Sequence, residues 1–377
     1  MNFVRLKAVA RKEVIHIWRD PRSLALAVGI PMLMILLFGY ALTVDVDHVP
    51  IVVWDQSQTK DSREYLAGFT ASRYFDFEGA VDSYREIEKA IDTRRAYLAL
   101  VIPADFAPRL AAGKSTAVQA IIDGSDSNTA AIVLGYTQAV TVNFNQAVSL
   151  NQLQRTLGRP PTPPVDFRPR VWFNPDLESK NFIIPGLIAM IMGLIAALLT
   201  SLTISREWER GTMEQLISTP IKGSELIVGK LVPYFVIGMF DVLIAVVMAV
   251  FLFHVPLRGS VPLLFATAAL FITGTLSQGI LISTMARQQL LASQFAMITT
   301  FLPAFLLSGF IFAISNMPVP VQIITYLVPA RYFVSVVKGI YLRGVGLETL
   351  WQDALFLLLF ATVAMGLAIV KFKKRLG

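Results

Sequence analysis

Six stretches of the sequence are apolar, nearly free of charge, and about as long as a helix must be to cross a membrane. A bilayer core of about 30 Å requires about 20 apolar residues in helical conformation. Asp241 is the only charged residue within these stretches. The predicted membrane-spanning helices are residues 23–44, 182–205, 231–252, 261–286, 290–313 and 354–370. The sequence therefore predicts an all-α polytopic membrane domain with six transmembrane helices.

The charge of the chain is low and unevenly distributed. Charged residues make up 16% of the sequence, against about 25% in a soluble domain. Residues 44–180 hold 14 Lys and Arg and 17 Asp and Glu, whereas the rest of the chain holds 19 and 9. The basic residues therefore flank the apolar stretches, as membrane topology requires, and we expect no nucleic-acid partner. Cysteine is absent, which excludes disulfides and thiolate chemistry.

The positions of Lys and Arg also predict the orientation, because these residues collect in cytoplasmic loops. Fifteen of them lie on one side of the predicted helices, and that side contains both chain ends. The short loops of the other side hold only Arg258, Arg331, Lys338 and Arg343. We therefore expect a multi-pass membrane protein, with both termini in the cytoplasm and residues 45–180 outside it.

Residues 45–180 have the pattern of a separate α/β domain inserted between spans one and two. Apolar, β-branched segments predict strands at 50–54, 97–102, 117–122 and 165–173. Helices are predicted at 82–94, 103–112 and 127–155, and the prolines of 159–164 predict a linker. Because strands alternate with helices, we expect a partly parallel sheet. The remaining domains are then 1–22, 23–44 and the five-helix transmembrane domain 181–377.

The segment 1–22 is an amphipathic helix. At 100° per residue, the apolar side chains fall within an arc of about 80°, with basic side chains opposite. The apolar residues are Phe3, Leu6, Ala10, Val14 and Ile17, and the opposite ones are Arg5, Lys12, His16 and Arg19. Such a helix lies in the membrane interface. Asp20-Pro21 ends it, because proline disfavours helical conformation in the preceding residue.

Two segments look like ligand sites but lack residues that those sites require. Gly113-Lys114-Ser115 resembles the end of a phosphate-binding loop, but Pro108 stands in place of the loop's first glycine. Residues 123–128 resemble a calcium loop without its glycine and its final glutamate, so a capped turn before the next helix is expected. The three histidines are scattered. We expect no catalytic residue and no metal site, and hence a chain that is not an enzyme.

The segment 206–218 is predicted to be a short helix with a docking surface. It mixes both charge signs with Trp208, Met213 and Leu216, and Pro220 follows it. Apolar anchors with a charged rim are typical of docking surfaces. A solvated loop that only fixes the topology is the alternative.

This segment resembles the signature of the type-2 ABC transporter permeases, in particular multidrug-type ABC exporter membrane subunits with a large extracytoplasmic domain. Arg19-Asp20-Pro21, Pro31 and Phe38-Gly39 resemble the N-terminal helix and first span of that family, and the likeness of layout covers the whole chain. The resemblance implies an efflux permease of the bacterial inner membrane that forms the translocation path as a dimer with a second copy or a paralogue. Separate ABC ATPase subunits would bind the ATP and Mg, so this chain would hold no cofactor.

The resemblance assigns roles by position. ATPase coupling falls to Arg206, Glu207, Trp208, Glu209, Arg210, Gly211, Thr212, Met213 and Glu214. The interfacial helix contributes further residues to the same docking surface, namely Lys12, Glu13, Arg19, Asp20 and Pro21. The expected cargo is drugs or other amphipathic small molecules, with lipid or peptide export as the alternative. A periplasmic adaptor protein is the partner expected for the outer domain in a cell with two membranes.

Two further features bear on transport. Residues 314–345 are apolar but broken by prolines, and the resemblance implies an outer re-entrant segment, with an ordinary amphipathic loop helix as the alternative. Asp241 is an intramembrane carboxylate, which suggests a place in the translocation path; the alternative is a longer third span in which Asp241 pairs with Lys230 or with the backbone. An ion-driven secondary transporter is a further alternative, but such transporters commonly show internal repeats, and none is visible here. A display protein would need one span rather than six.

Overall fold

The structure is a computed structural model that describes residues 2–20, 25–41, 46–157, 172–174 and 178–372. The described residues are mostly helical, at 73%, and the chain divides into two compact units. The helical unit comprises Met1–Thr43 and Arg170–Gly377, and the sheet unit comprises Val44–Pro169. Each unit has its own hydrophobic core.

Two helices precede the sheet unit. Helix α1, Phe3–Arg19, begins where the side chain of Asn2 accepts a hydrogen bond from the amide of Val4 at 3.0 Å. A π-helical turn, Ala25–Gly29, leads into α2, Ile30–Ala41. The apolar helix Ala27–Ala41 is shorter than a span requires. Residues 21–24 and 42–45, Pro21 among them, lie outside the described residues, so the predicted first span 23–44 stays a prediction.

The described part of the sheet unit has four strands and four helices. The strands are β1 Val49–Asp55, β2 Phe75–Ala80, β3 Leu98–Ile102 and β4 Gln119–Ile122. The helices are α3 Lys60–Thr70, α4 Tyr84–Asp92, α5 Phe106–Ala111 and α6 Ser127–Leu157. The order is β2-β1-β3-β4, with β1 parallel to β2 and β3, and β4 antiparallel to β3. The predicted partly parallel sheet is confirmed.

Two elements of the sheet unit, α3 and β2, were not predicted because their apolar pattern is weak. Only Phe75 is buried along β2, which is an edge strand. One of the three buried side chains of α3 is the polar Ser62, whose hydroxyl donates to Asp55 at 2.7 Å. The predicted linker 159–164 and most of the predicted strand 165–173 lie outside the described residues; Trp172 and Phe173 are not in a strand.

The loop that resembles a calcium site is a turn held by its own side chains. The carboxylate of Asp123 accepts hydrogen bonds from the amide of Ser125 at 2.9 Å and from its hydroxyl at 2.6 Å. These bonds hold the pKa of Asp123 below its usual range. The hydroxyl of Thr129 donates to Asp126 at 2.6 Å in the first turn of α6. The turn before the long helix is therefore as predicted.

Among the described residues, five helices of the helical unit are long and apolar enough to cross a membrane. They are α7 Ser179–Glu209; α9 Gly223–Val247 with its π-helical continuation Met248–Leu252; α10 Val261–Ala286; α11 Gln289–Ala296, continued by the π-helical turn Met297–Phe301 and α12 Leu302–Leu307; and α15 Leu347–Lys371. The short helix α8, Thr212–Ser218, lies between α7 and α9. Most of these spans begin or end beyond their predicted limits.

A bent pair of helices precedes α15. Helix α13, Val319–Thr325, and helix α14, Pro329–Lys338 with its π-helical turn Gly339–Arg343, meet at 83°. The amide of Gly259 donates to the carbonyl of Ile340 at 2.9 Å, which ties the pair to the loop before α10. Counting the bent pair as one span gives six. A broken span and a re-entrant loop share this form, so the re-entrant segment 314–345 stays a prediction.

Helix α7 is the centre of the helical unit, and α10 packs closely against it. A Cβ added to Gly279 of α10 would lie 2.5 Å from the carbonyl oxygen of Ala197 and against the hydroxyl of Thr200. That hydroxyl lies 2.9 Å from the carbonyl oxygens of Ala196 and Leu276, one on each helix. Small residues allow membrane helices to approach this closely, and polar side chains then bridge them.

We expect Gly279→Leu to prevent correct assembly of the helical unit, because its side chain would meet the backbone of α7. Overpacking a dense core costs about 1–3 kcal/mol or more. The measurement is the yield of monodisperse protein and its thermal unfolding midpoint in detergent. Gly366→Leu is the matched control, since an added Cβ at Gly366 meets nothing within 4 Å. Equal behaviour of the two variants would contradict the packing role of Gly279.

Candidate functional site

The predicted docking helix 206–218 is divided into two pieces in the structure. Helix α7 continues through Glu207 and Trp208 to Glu209, and α8 begins at Thr212. Gly211 separates them with a φ of 72°, in the left-handed region that favours glycine. The amide of Gly211 donates to the carbonyl of Trp208 at 3.1 Å. The prediction of one short helix was wrong because the residues after span two are good helix formers that extend α7.

A buried ion-pair cluster joins α1, α7 and α9. The ammonium group of Lys230 on α9 lies 2.6 Å from Glu13 Oε1 on α1 and 3.2 Å from Glu207 Oε1 on α7. Lys12 lies 2.5 Å from the same Glu207 oxygen. Lys230 is 1% exposed and Glu13 is 3% exposed. Three of these charged groups are largely buried and the fourth, Lys12, is half exposed, so each buried charge has a partner of opposite sign.

Further polar contacts extend this cluster. Arg206 lies 3.6 Å from the carboxylate of Asp20 and 3.2 Å from the imidazole of His16. The hydroxyl of Thr212, the first residue of α8, donates to Glu207. Helix α8 is thereby tied both to the end of α7 and, through Lys230, to α1 and α9.

The end of α7 also contacts the junction between α10 and α11. The carboxylate of Glu209 accepts hydrogen bonds from the side chain of Gln289 and, at 2.7 Å, from its amide. The guanidinium of Arg287 lies 4.9 Å from the centre of the Trp208 ring. Glu207, Trp208 and Glu209 thus make contacts within the chain and connect α7 to its neighbours.

Part of the predicted docking set is exposed. Arg210, Gly211 and Glu214 are exposed, whereas Met213 is buried beside Leu226 and Phe372. Arg19 is exposed, and Pro21 lies outside the described residues. Among the described residues of the segment, Arg210 and Glu214 are therefore exposed charged side chains with neither a hydrogen bond nor an ion pair, whereas the exposed Glu209 is hydrogen-bonded to Gln289.

Helix α1 packs on α9 through one narrow face. Its buried residues are Val9, Glu13 and Ile17, of which only Ile17 belongs to the predicted apolar arc. A Cβ added to Gly229 of α9 would lie 2.8 Å from Val9. Phe3 of the arc is exposed, and the contact of the arc with the membrane interface stays a prediction. The burial of Glu13 was not predicted, because its partner Lys230 lies on another helix.

The structure brings together most of the residues predicted on α1 and α7, and it adds others that were not predicted. Lys12, Glu13, Asp20, Arg206, Glu207 and Thr212 meet in one cluster. The missed members are Lys230, His16 and Gln289. Lys230 was assigned to a loop because the predicted third span began one residue later, although α9 already begins at Gly223.

Asp241 lies on α9, away from this cluster. It is 4% exposed, and its Oδ1 has no hydrogen-bond partner among the described residues. Eleven helical residues, or about 16 Å, separate it from Lys230. Lys230 is instead held by the two glutamates, so the predicted alternative, a pair between Asp241 and Lys230, is wrong.

A cavity lies within the helical unit between α7, α10, the α11–α12 segment and α15. Its volume is about 340 Å³. Apolar walls such as Phe271, Pro303 and Phe360 enclose a small polar patch formed by Thr275, Gln278 and Thr300. The side-chain nitrogen of Gln278 lies 3.4 Å from the hydroxyl of Thr300. The cavity is suited to a small amphipathic molecule whose polar group is uncharged and lies against this patch.

The chain is similar in sequence to known proteins along nearly its whole length. Residues 21–370 match the family model described as ABC-2 family transporter protein. The chain is 39% identical over 379 residues to "Probable multidrug ABC transporter permease YbhS" of Escherichia coli K12, covering 100% of this chain and 98% of that protein. It is 31% identical over 376 residues to "Probable multidrug ABC transporter permease YbhR" of the same strain, covering 99% of each. Identity to "Inner membrane transport permease YhhJ" of that strain is 28% over 358 residues, with 92% and 93% covered.

We expect Lys230→Met to destabilise the helical unit strongly, because Glu13 and Glu207 would lose their buried cation. Removing one partner of a buried pair costs about 3–5 kcal/mol. Lys12→Met is the matched control, since the side chain of Lys12 is half exposed and an exposed pair contributes at most about 1 kcal/mol. Thermal unfolding in detergent distinguishes them. Equal midpoints for the two variants would show that the cluster does not stabilise the fold.

Proposed function

The chain belongs to the ABC-2 family of transporter proteins, and from that premise we propose that it forms the translocation path of an ATP-driven exporter as a dimer coupled to a separate ATPase. ABC permeases of this kind are multi-pass membrane subunits, and the five apolar helices agree with that role. In the proposed complex, ABC ATPase subunits bind ATP and Mg, and the second permease is another copy or a paralogue.

The ion-pair cluster around Lys230 is the observation that supports coupling. It joins α1, the end of α7, α8 and α9 at one end of the bundle. A displacement of α8 would therefore move the adjoining ends of α7 and α9 with it, instead of only deforming the residues that connect the helices. We assign direct contact with the ATPase to the exposed Arg210 and Glu214, and we assign to Glu207 the transmission of that force inside the chain.

The proposed orientation places this end of the bundle, and both termini, in the cytoplasm, where the ATPase lies. The sheet unit is then extracytoplasmic, and a periplasmic adaptor is its proposed partner in a cell with two membranes. The outward face of α11 and α12 is apolar, with exposed side chains at Leu290, Phe295, Ile298 and Leu302. We assign this face to the contact with the second permease.

The proposed cargo is drugs or other amphipathic small molecules. Two relatives that cover the chain almost completely carry the words multidrug and permease in their names. The cavity beside Gln278 and Thr300 is mostly apolar with few polar groups, which suits an amphipathic small molecule.

We expect the double variant Arg210→Glu with Glu214→Lys to lose ATPase binding, because it reverses both exposed charges of the proposed contact without touching the buried cluster. Co-purification of the tagged permease with its co-expressed ATPase should fall about tenfold, the scale of about 1.4 kcal/mol. Arg258→Glu with Glu348→Lys, which reverses two exposed charges elsewhere in the helical unit, is the control. Undiminished co-purification of the first variant would remove the proposed docking role of α8.

We expect Asp241→Asn to lower export of cationic substrates, because a buried carboxylate without a partner at Oδ1 is suited to attract a cation. The measurement is efflux of a fluorescent cationic dye from cells, normalised to the amount of permease in the membrane, and a fall of about tenfold is expected. Asp241→Glu, which keeps the charge, should retain most of the export. Wild-type efflux by Asp241→Asn would exclude Asp241 from the path.

A further inference from the structure

A second cavity lies at the other end of the helical unit from the ion-pair cluster. Its volume is about 600 Å³. It is enclosed by the start of α7, the segment after α12, the bent pair and the first turns of α15. Phe182 in its wall and Arg206 in the cluster are 24 residues apart on α7, or about 36 Å. The two sites are therefore separate.

The lining of this cavity has an excess of positive charge. Arg331, Lys338 and Arg343 contribute three cations, and Asp353 contributes one carboxylate. Among the described residues, none of these cations has a carboxylate oxygen within 4 Å. Asp353 accepts its hydrogen bond from the hydroxyl of Ser335 at 2.7 Å instead. A cavity with this balance favours an anion.

The contacts of Lys338 show a half-buried cation held by weak partners. Its ammonium group donates to the carbonyl of Gly309 at 3.1 Å and lies 3.4 Å from the centre of the Phe182 ring. A carbonyl and an aromatic face compensate a desolvated charge less completely than a carboxylate or phosphate does. The ammonium group thus retains donors for an anionic ligand.

Aromatic and aliphatic side chains form much of the remaining wall, beside the polar Ser308, Ser335 and Gln352. Tyr332 and Phe356 stack with ring centres 4.4 Å apart. The guanidinium of Arg331 lies 3.9 Å from the centre of the Tyr326 ring, and Leu342 completes an apolar wall. Such a surface suits hydrocarbon next to the charged group rather than a free inorganic ion.

We propose that this cavity binds the phosphate headgroup of an anionic amphiphile. Two arginines and a lysine supply the donors that a phosphate with several oxygens needs, and the aromatic wall takes the adjoining hydrocarbon. A phospholipid of the bilayer and a free alkyl phosphate share this chemistry. The proposal does not rest on coupling to an ATPase, because it concerns binding to this chain alone.

The test is lipid binding to the purified full chain in mild detergent, followed by native mass spectrometry. The probes are phosphatidylglycerol and, with the same acyl chains, zwitterionic phosphatidylcholine. We expect preferential binding of phosphatidylglycerol at one site, weakened about tenfold in Lys338→Met and in Arg343→Gln. Arg258→Gln is the matched control, because Arg258 lies beside Gly344 at this end of the bundle but outside the cavity lining. Equal binding of the two lipids, or an equal loss in Arg258→Gln, would overturn the proposal.

Competition separates the two sources of the phosphate. Displacement of phosphatidylglycerol by dodecyl phosphate supports a site open to free amphiphiles, and retention of the lipid against dodecyl phosphate supports a site reserved for bilayer lipid. Displacement by inorganic phosphate alone would overturn the role of the apolar wall. Arg343 is exposed, so Arg343→Gln keeps the test valid even where Lys338→Met does not fold.

Discussion

The ammonium group of Lys230, buried between Glu13 and Glu207, fixes how three segments of the chain meet. A buried lysine without anionic partners would cost several kcal/mol. Its two partners come from α1 and α7, while Lys230 itself is on α9, so neither helix can move away alone without leaving a charge uncompensated. The position of α1 against the bundle, and that of α8 through Thr212, depends on this requirement.

Most of the spans could be predicted from the sequence, but most of their ends could not. The apolar length that a bilayer requires located α7, α9, α10, the α11–α12 segment and α15. A prediction from hydropathy ends a span at the first charged residue. Helix α9 nevertheless includes Glu225 and Lys230, because both have partners on the N-terminal segment. Only α10 has both predicted ends, since Ser260 caps its start and Arg287 leaves the helix in left-handed conformation. Partners distant in sequence leave no local pattern.

Several residues of the candidate site were predicted, but its central Lys230 and its arrangement were not. The resemblance named Glu13 and Glu207 among residues that would face an ATPase, and the structure buries them against Lys230. The apolar arc of α1 predicted a helix at the membrane interface, and it carries no signal for the face that packs on α9. That face includes Glu13, whose burial requires its partner Lys230, because an unpaired buried charge would cost several kcal/mol.

Helix α7 gives the two ends of the helical unit a common element. Its last turns carry Arg206 and Glu207, and its first turns carry Phe182 in the wall of the cationic cavity. Between these ends the helix is largely buried, and α10 packs against its backbone at Gly279. A continuous helix of this length connects a displacement at one end to the other end when it moves as a body. If α7 moves in this way when α8 is displaced at the proposed ATPase contact, Phe182 moves with it, and a ligand bound in the cationic cavity would then oppose or favour that movement.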